Sequence, residues 1–376
     1  MRRLTWFALT AFFMVRFAVP FTEAADLPVV RLGVIGPFSG ASAPYGRSVL
    51  DGVTLAFEEA TARGDLPVRL EIVTADDQGE HHRVGALVRD LVLERGVVGL
   101  IGSVNSACTH VVAMLCVKLQ VPHITSVSTD PTITRAGSPW SFRNLADDER
   151  QAAALVRHLI EVSQARRVAV IALNDRYGLQ GVRVLLRRLN EHGHRVIFTG
   201  TIDNEGELID GRVGDLRRLR PDAVVVWSLV HPGARFIVQA RQAGIDAPLF
   251  GPDGLTTPEF LTLAGPMAEG MVVTLPFDHR RDDPETRRFV SAFARRFQRQ
   301  ADSFAAHAYD AMGLFIQAIE RGSIHPDELR DSLAATDGYP GVTGEISFDQ
   351  TGNDIRDVDL ARISSGRFVP LDRSGR

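Results

Sequence analysis

VIGPFSGASAPYGR (residues 34–47) leaves an apolar run, passes through a loop of Gly, Pro, Ser and Ala, and enters a helical pattern that lasts to Arg63. The run before it, VVRLGVI (residues 29–35), is β-branched and apolar, as a strand buried on both faces requires. Strand, loop and helix in that order begin a crossover unit. VRLEIVT (68–74), VVGLIG (97–102) and VPHITS (121–126) read as further strands, with helices predicted over 45–63, 83–95 and 107–119. Strands alternating with helices at this spacing imply a parallel sheet.

The rhythm then restarts. Helices over 150–162, 179–192 and 234–243 alternate with the strands RVAVIAL (167–173), RVIFTGT (195–201), DAVVVWS (222–228) and PLFG (248–251). The C-terminal part adds helices over 284–299, 304–321 and 325–335 and the strand-like GEISFD (344–349) and VDLARIS (358–364), expected to complete the two sheets already begun. The expected fold is α/β, with two Rossmann-like lobes on parallel-sheet cores joined by a multi-strand hinge. Residues 1–25 are read as a signal peptide, 26–146 plus 276–345 as the first lobe, and 147–275 plus 346–376 as the second.

In residues 1–25, Arg2 and Arg3 precede the apolar run LTWFALTAFFMV, and small residues follow in TEAAD, the pattern of a secretory signal. The run is shorter than the ~20 residues of a membrane span. Its removal takes Arg2, Arg3, Arg16 and Glu23, a net charge of +2, from a chain of net charge −4, leaving −6. That balance gives no footing for nucleic acid. Cys108 and Cys116 stand eight apart on a helical pattern, about 12 Å along the axis and beyond the ~7 Å reach of a disulfide. They are expected to be buried free thiols.

Motifs for chemistry are missing. GVIGPFSG (33–40) fits neither the dinucleotide fingerprint nor the phosphate loop, and Pro37 and Pro44 remove amides that a phosphate cradle would use. There is no G-x-S-x-G elbow. His81 and His82 follow Glu80 without further ligands at metal-binding spacing, and read as a solvated first helical turn. An exported two-lobed α/β protein without such sets is expected to be a binder, not an enzyme, with no cofactor and no metal.

In open parallel sheets the ligand lies beyond the carboxyl ends of the strands, where helix N-termini offer unpaired amides. Beyond the strands of the first lobe stand GPFSGASAPYG (36–46), SVNSACTH (103–110) and TSVSTDPT (125–132), rich in hydroxyls. Beyond those of the second stand NDRYG (174–178), SLVHPG (228–233) and GPDGLTT (251–257), which contribute Tyr177 and Asp253. Hydroxyls and amides suit a carboxylate and an acid suits an ammonium, so the pair describes an α-amino acid or similar zwitterion.

The chain resembles the periplasmic leucine/isoleucine/valine-binding protein family, the type I solute-binding proteins of ATP-binding-cassette importers. The resemblance runs through IGPFSG (35–40), DGVTLAFEE (51–59), IGSVNSACT (101–109), STDP (128–131), FRN (142–144), DRYG (175–178), GPDG (251–254), YDA (309–311) and GEISFDQTGN (344–353). It implies that Ser106 binds the ligand carboxylate and that Ser128 and Thr129 serve carboxylate and ammonium. It further implies that Tyr45 and Tyr177 are the aromatics of the two lobes, and that Asp253 faces the ammonium in place of a longer glutamate. The family's cysteine pair is absent, and Leu229 falls where a tyrosine is found in the prototype.

Structural readings stand beside these roles. Ser106 is a natural helix N-cap, Thr129 and Asp130 precede Pro131 as a turn, and Asp253 sits in a Pro-Asp-Gly turn. Tyr45 and Tyr177 are packing aromatics. The expectation is an exported, periplasmic, monomeric protein that captures an amino acid or related carboxylate or amide and passes it to the membrane permease of an importer. The alternative is a ligand sensor of the same fold that signals through a partner.

Overall fold

A computed structural model of the protein describes residues 27–209, 211 and 213–371. The expected signal segment lies outside the described residues. The first sheet holds β1 (Val29–Gly36), β2 (Arg69–Asp76), β3 (Val97–Gly102), β4 (His123–Thr125) and β5 (Ser141–Arg143) in the order β2-β1-β3-β4-β5, all parallel. The second begins with β6 (Val168–Leu173), β7 (Val196–Ile202), β8 (Ala223–Trp227), β9 (Leu249–Gly251) and β10 (Val272–Leu275), again parallel. Every residue of β6 and β8 is buried, which is why these strands read as unbroken apolar runs.

Helices cover the sheets with their apolar stripes. Arg176–Glu191 turns Val182, Leu185 and Leu189 inward and leaves Arg183 and Arg187 exposed. In the first lobe the helix Ser303–Glu320 lies against Ala43–Arg63 so closely that a Cβ on Gly52 would stand 2.1 Å from the Ala305 carbonyl oxygen. Only glycine fits there. The helix His81–Arg89 starts with exposed His81 and His82, and Cys108 and Cys116 are buried and unpaired, both as the sequence suggests.

The chain passes between the sheets three times. The first passage follows β5, the second follows β10, and the third precedes the C-terminal strands. The third lies later than position 346: Asn353 bridges Arg143 at the edge of the first sheet, and Phe348 packs on Phe142 at 5.3 Å.

The C-terminal segments depart from expectation in one respect. β11 (Tyr339–Gly341) and β12 (Gly344–Ile346) pair only with each other, so the GEISFD segment extends neither large sheet. β13 (Asp359–Ser364) does join the second sheet, antiparallel to β10, and β14 (Arg367–Pro370) follows it as the edge strand. Strands β5, β10 and β14 are three or four residues long and carry too little periodicity to be read locally.

Candidate functional site

The carboxyl ends of both sheets converge on a cavity of about 30 Å³ between the lobes. Tyr45, Ser106, Ser128, Tyr177 and Asp253 all line it. Thr129 is wholly buried and does not reach the cavity surface. The volume is far below the several hundred cubic ångströms of a typical ligand pocket, so the walls are drawn together.

The opening loop sets the first wall. Asp76, at the end of β2, accepts from Phe38 N at 2.8 Å and from Ser39 Oγ at 2.6 Å, which pins the Gly-Pro turn after β1. The helix Ala43–Arg63 can then start at once, with Pro44 in its first turn and Tyr45 beside it. Tyr45 leans edge-on against Phe304, 5.1 Å between ring centres. Its hydroxyl accepts a hydrogen bond from Val230 N at 2.9 Å, in the first turn of a helix of the second lobe. Tyr45 therefore bridges the cleft as well as lining it.

Ser106 is the first residue of the helix Ser106–Leu119; the N-cap is Asn105, which makes no side-chain capping bond. Ser106 Oγ has no protein partner among the described residues, and it stands where helix amides open onto the cavity. Ser128 is different. Its hydroxyl donates to Val104 O at 2.6 Å and contacts Thr109 Oγ1 at 2.5 Å, and its amide donates to Thr125 Oγ1 at 3.2 Å. Beneath this loop the buried guanidinium of Arg143 donates to Ser128 O at 3.2 Å and Asp130 O at 2.9 Å. Asp130 forms the turn expected there, its Oδ1 accepting from Thr132 N at 2.9 Å. Its Oδ2 meets Arg176 Nε of the other lobe at 2.7 Å, a second tie across the cleft.

The second wall is acidic. Tyr177 Oη donates to Asp253 Oδ1 at 3.1 Å and accepts from Gly254 N at 3.3 Å. A Cβ on Gly254 would fall 2.6 Å from that phenol oxygen, so the turn admits the tyrosine only as glycine. The bonds of the Asp253 turn run from Thr256 to the Asp253 carbonyl, while the carboxylate draws on Gln151, on Tyr177 and on Gly254 N. Burial pushes the Asp253 carboxyl up to about 6. Asp175, which caps the helix behind Tyr177 by accepting from Gly178 N at 2.7 Å, is also pushed up to about 6 by burial.

Apolar side chains complete the lining. Val104, Val127, Leu229 and Phe304 face the cavity, so Leu229 stands at the cleft where the resemblance implies a tyrosine. Phe304 was not legible in the sequence because it comes from a helix about 260 residues beyond Tyr45. Among the described residues no group of three or more His, Cys, Asp or Glu is arranged to hold a metal ion, and no helix is long and apolar enough to cross a membrane.

Residues 29–367 match the family model described as periplasmic binding protein. Over 346 residues the chain is 28% identical to the leucine-, isoleucine-, valine-, threonine- and alanine-binding protein of Pseudomonas aeruginosa, covering 90% of each. A crystal structure of an ABC transporter substrate-binding protein from Desulfitobacterium hafniense in complex with Leu matches with a TM-score of 0.77 at 27% identity, covering 91% of this chain and 100% of that one. The leucine-binding protein of Thermotoga maritima, 23% identical, shares the fold with a TM-score of 0.82 over 91% of this chain and 98% of its own. The match runs from β1 into the last strand and takes in both sheets and every segment that lines the cleft; this chain belongs to the periplasmic binding protein family.

Proposed function

We propose that the protein is exported by residues 1–25 to the periplasm, works there as a monomer, and captures an α-amino acid with an apolar side chain for the permease of an ATP-binding-cassette importer. One observation carries this reading. The hydroxyl and helix amides at Ser106, with Ser128 beside them, face an acid and a phenol at Asp253 and Tyr177, with Val104, Val127, Leu229 and Phe304 around them. A carboxylate on the first wall, an ammonium on the second and a hydrocarbon side chain between them match this arrangement. Leucine, isoleucine, valine and alanine, in the names of the Pseudomonas and Desulfitobacterium proteins, have the same three parts, and threonine differs by a hydroxyl.

Capture works by closure. The ligand binds one wall and gains the contacts of the other, so its differential affinity sets the closed population. Tyr45 to Val230 and Arg176 to Asp130 are ties that form when the walls meet. In this reading the lobes are 26–146 plus 276–345 and 147–275 plus 346–376, with 346–354 moved to the first. The test is a thermal-shift panel of leucine, isoleucine, valine, threonine and alanine against amides, urea and benzoate, followed by calorimetry. A bound ligand raises stability with ln(1 + [L]/Kd). A rise with leucine-class ligands supports the reading; a rise only with amine-free compounds overturns the ammonium end of it.

A further inference from the structure

A cavity of about 450 Å³ lies beside the second passage between the lobes, apart from the closed cleft. The passage gives it Leu275 and Phe277, both buried. The second lobe adds Leu261 and Phe368, and the first lobe closes the side with Asp302 and Ser303. A space of this size, lined by apolar side chains with a few polar groups among them, has the make-up of a ligand pocket.

Most of the charge around it is already engaged within the protein. Asp278 Oδ1 accepts from Arg280 N at 3.0 Å and from Arg280 Nε at 3.2 Å, and Arg280 Nη2 donates to Phe368 O at 2.6 Å. Asp302 Oδ1 accepts from Ala305 N at 2.9 Å as a helix cap, and its Oδ2 accepts from Ser48 Oγ at 2.5 Å. Two donors remain. The Arg367 guanidinium and the His279 imidazole both line the cavity, and neither has a hydrogen bond or ion pair among the described residues. The bond from Arg280 to Phe368 joins the residues next to them, which brings the two to one end of the space. Burial lowers the His279 imidazole, so at pH 7 its ring is neutral with one N–H to donate.

We propose that this cavity is a second binding site, for a small apolar carboxylate whose hydrocarbon part lies between Phe277 and Phe368 and whose carboxylate meets Arg367 and His279. The arginine fork presents two N–H donors to a carboxylate, and the imidazole adds another. The site shares its walls with the cleft. Ser303 lines this cavity and the next residue, Phe304, lines the cleft; Thr256 lines this cavity and its hydroxyl donates to Asp253 O at 2.6 Å. The occupant touches both lobes and the passage that joins them. Parting the lobes draws residues 300–303 away from 256–262 and removes part of its contacts. It therefore favours the closed arrangement and tightens the cleft on the cleft's own ligand.

The test is titration calorimetry of the full protein with 3-phenylpropionate, with and without saturating leucine. The leucine-loaded wild type is expected to bind the compound, and the compound is expected to tighten leucine ~5-fold. Arg367→Ala, at an exposed position, is expected to weaken 3-phenylpropionate ~10-fold and to leave the affinity for leucine alone unchanged. His279→Ala should weaken the compound ~5-fold. 3-Phenylpropanol, which lacks the carboxylate, should bind at least ~10-fold more weakly than the acid. Binding that leucine abolishes places the compound in the cleft and overturns the proposal, while the amino-acid reading stands. Failure to bind at all, or binding that Arg367→Ala and His279→Ala leave unchanged, overturns it as well, and an unchanged leucine affinity overturns the coupling. The leucine arm rests on the amino-acid reading; the two variants are also compared without leucine, so a protein that ignores leucine still tests this site.

Discussion

On the first wall of the cleft, Ser128 has a partner for its amide, its carbonyl and its hydroxyl, all supplied by its own lobe. On the second wall, Asp253 is wholly buried, and the hydrogen bonds its carboxylate draws from Gln151, Tyr177 and Gly254 do not offset that burial, which pushes it up to about 6. The first wall is a finished surface that positions a ligand. The second stores electrostatic discomfort that a cation relieves. Satisfied networks rigidify, whereas a buried charge without a partner costs stability until something neutralises it. Mutations should therefore act with opposite signs on the two sides.

The largest effect is expected at Arg143, which organises the finished wall. Its fork holds two carbonyls of the ligand loop from below, in a fully buried position. Arg143→Met leaves both carbonyls unpaired, and each buried unsatisfied group costs about 1–3 kcal/mol. Urea unfolding should show a loss of about 3–5 kcal/mol, together with weaker binding of every ligand that uses the first wall. Arg143→Lys keeps the charge but not the fork, and should recover less than half of the loss. A variant as stable as wild type would mean that this wall is not held from beneath.

Asp253→Asn probes the other wall and should separate stability from binding. With its carboxyl raised from 3.8 to about 6 by burial, ionised Asp253 costs the empty fold ~3 kcal/mol at pH 8. The asparagine variant should therefore melt higher than wild type at pH 8, while its affinity for leucine falls ~100-fold. The pH dependence follows in sign. Between about 4 and 6 the folded protein holds a proton on Asp253 that the unfolded chain has lost, so this group's contribution to stability falls as pH rises through that window. Buried His123, lowered to about 4, and His307, lowered to about 3, act with the opposite slope. The difference between wild-type and Asp253→Asn melting curves isolates the aspartate. Leucine affinity of the wild type should weaken as pH drops below about 6, where Asp253 gains its proton; a flat profile would remove Asp253 from the ammonium site.

The same contrast explains what the sequence could disclose. Long strands such as VAVIAL, buried along their whole length, announce themselves by composition, and the strand–helix alternation gave two sheets with parallel cores. The loops beyond strand ends could be found because their position follows from the sheet, and Tyr45, Ser106, Ser128, Tyr177 and Asp253 meet at one cavity. Phe304 and the cross-lobe tie from Arg176 to Asp130 could not be found in that way. Each depends on how two distant segments face each other after closure, which leaves no local period or spacing. The short strand SFR is invisible for a related reason: its arginine is buried by the loop it holds, against the usual placement of that residue.

The smallest effect is expected at the tie between the walls. Tyr45→Phe keeps the ring against Phe304 and removes only the oxygen that accepts from Val230 N. When the lobes part, water can serve that amide; when they close, Val230 is 1% exposed and its amide has no other acceptor among the described residues. The penalty of about 1 kcal/mol falls on the closed state alone. Dissociation of leucine should therefore speed up about fivefold while association is unchanged, since encounter occurs with the walls apart. Stopped-flow fluorescence can follow both rates, with the buried Trp227 as reporter behind the second wall. If association slows instead, Tyr45 meets the ligand before closure and belongs to the binding surface of the open cleft. If neither rate moves, the bond between Tyr45 and Val230 contributes nothing to holding the two walls together.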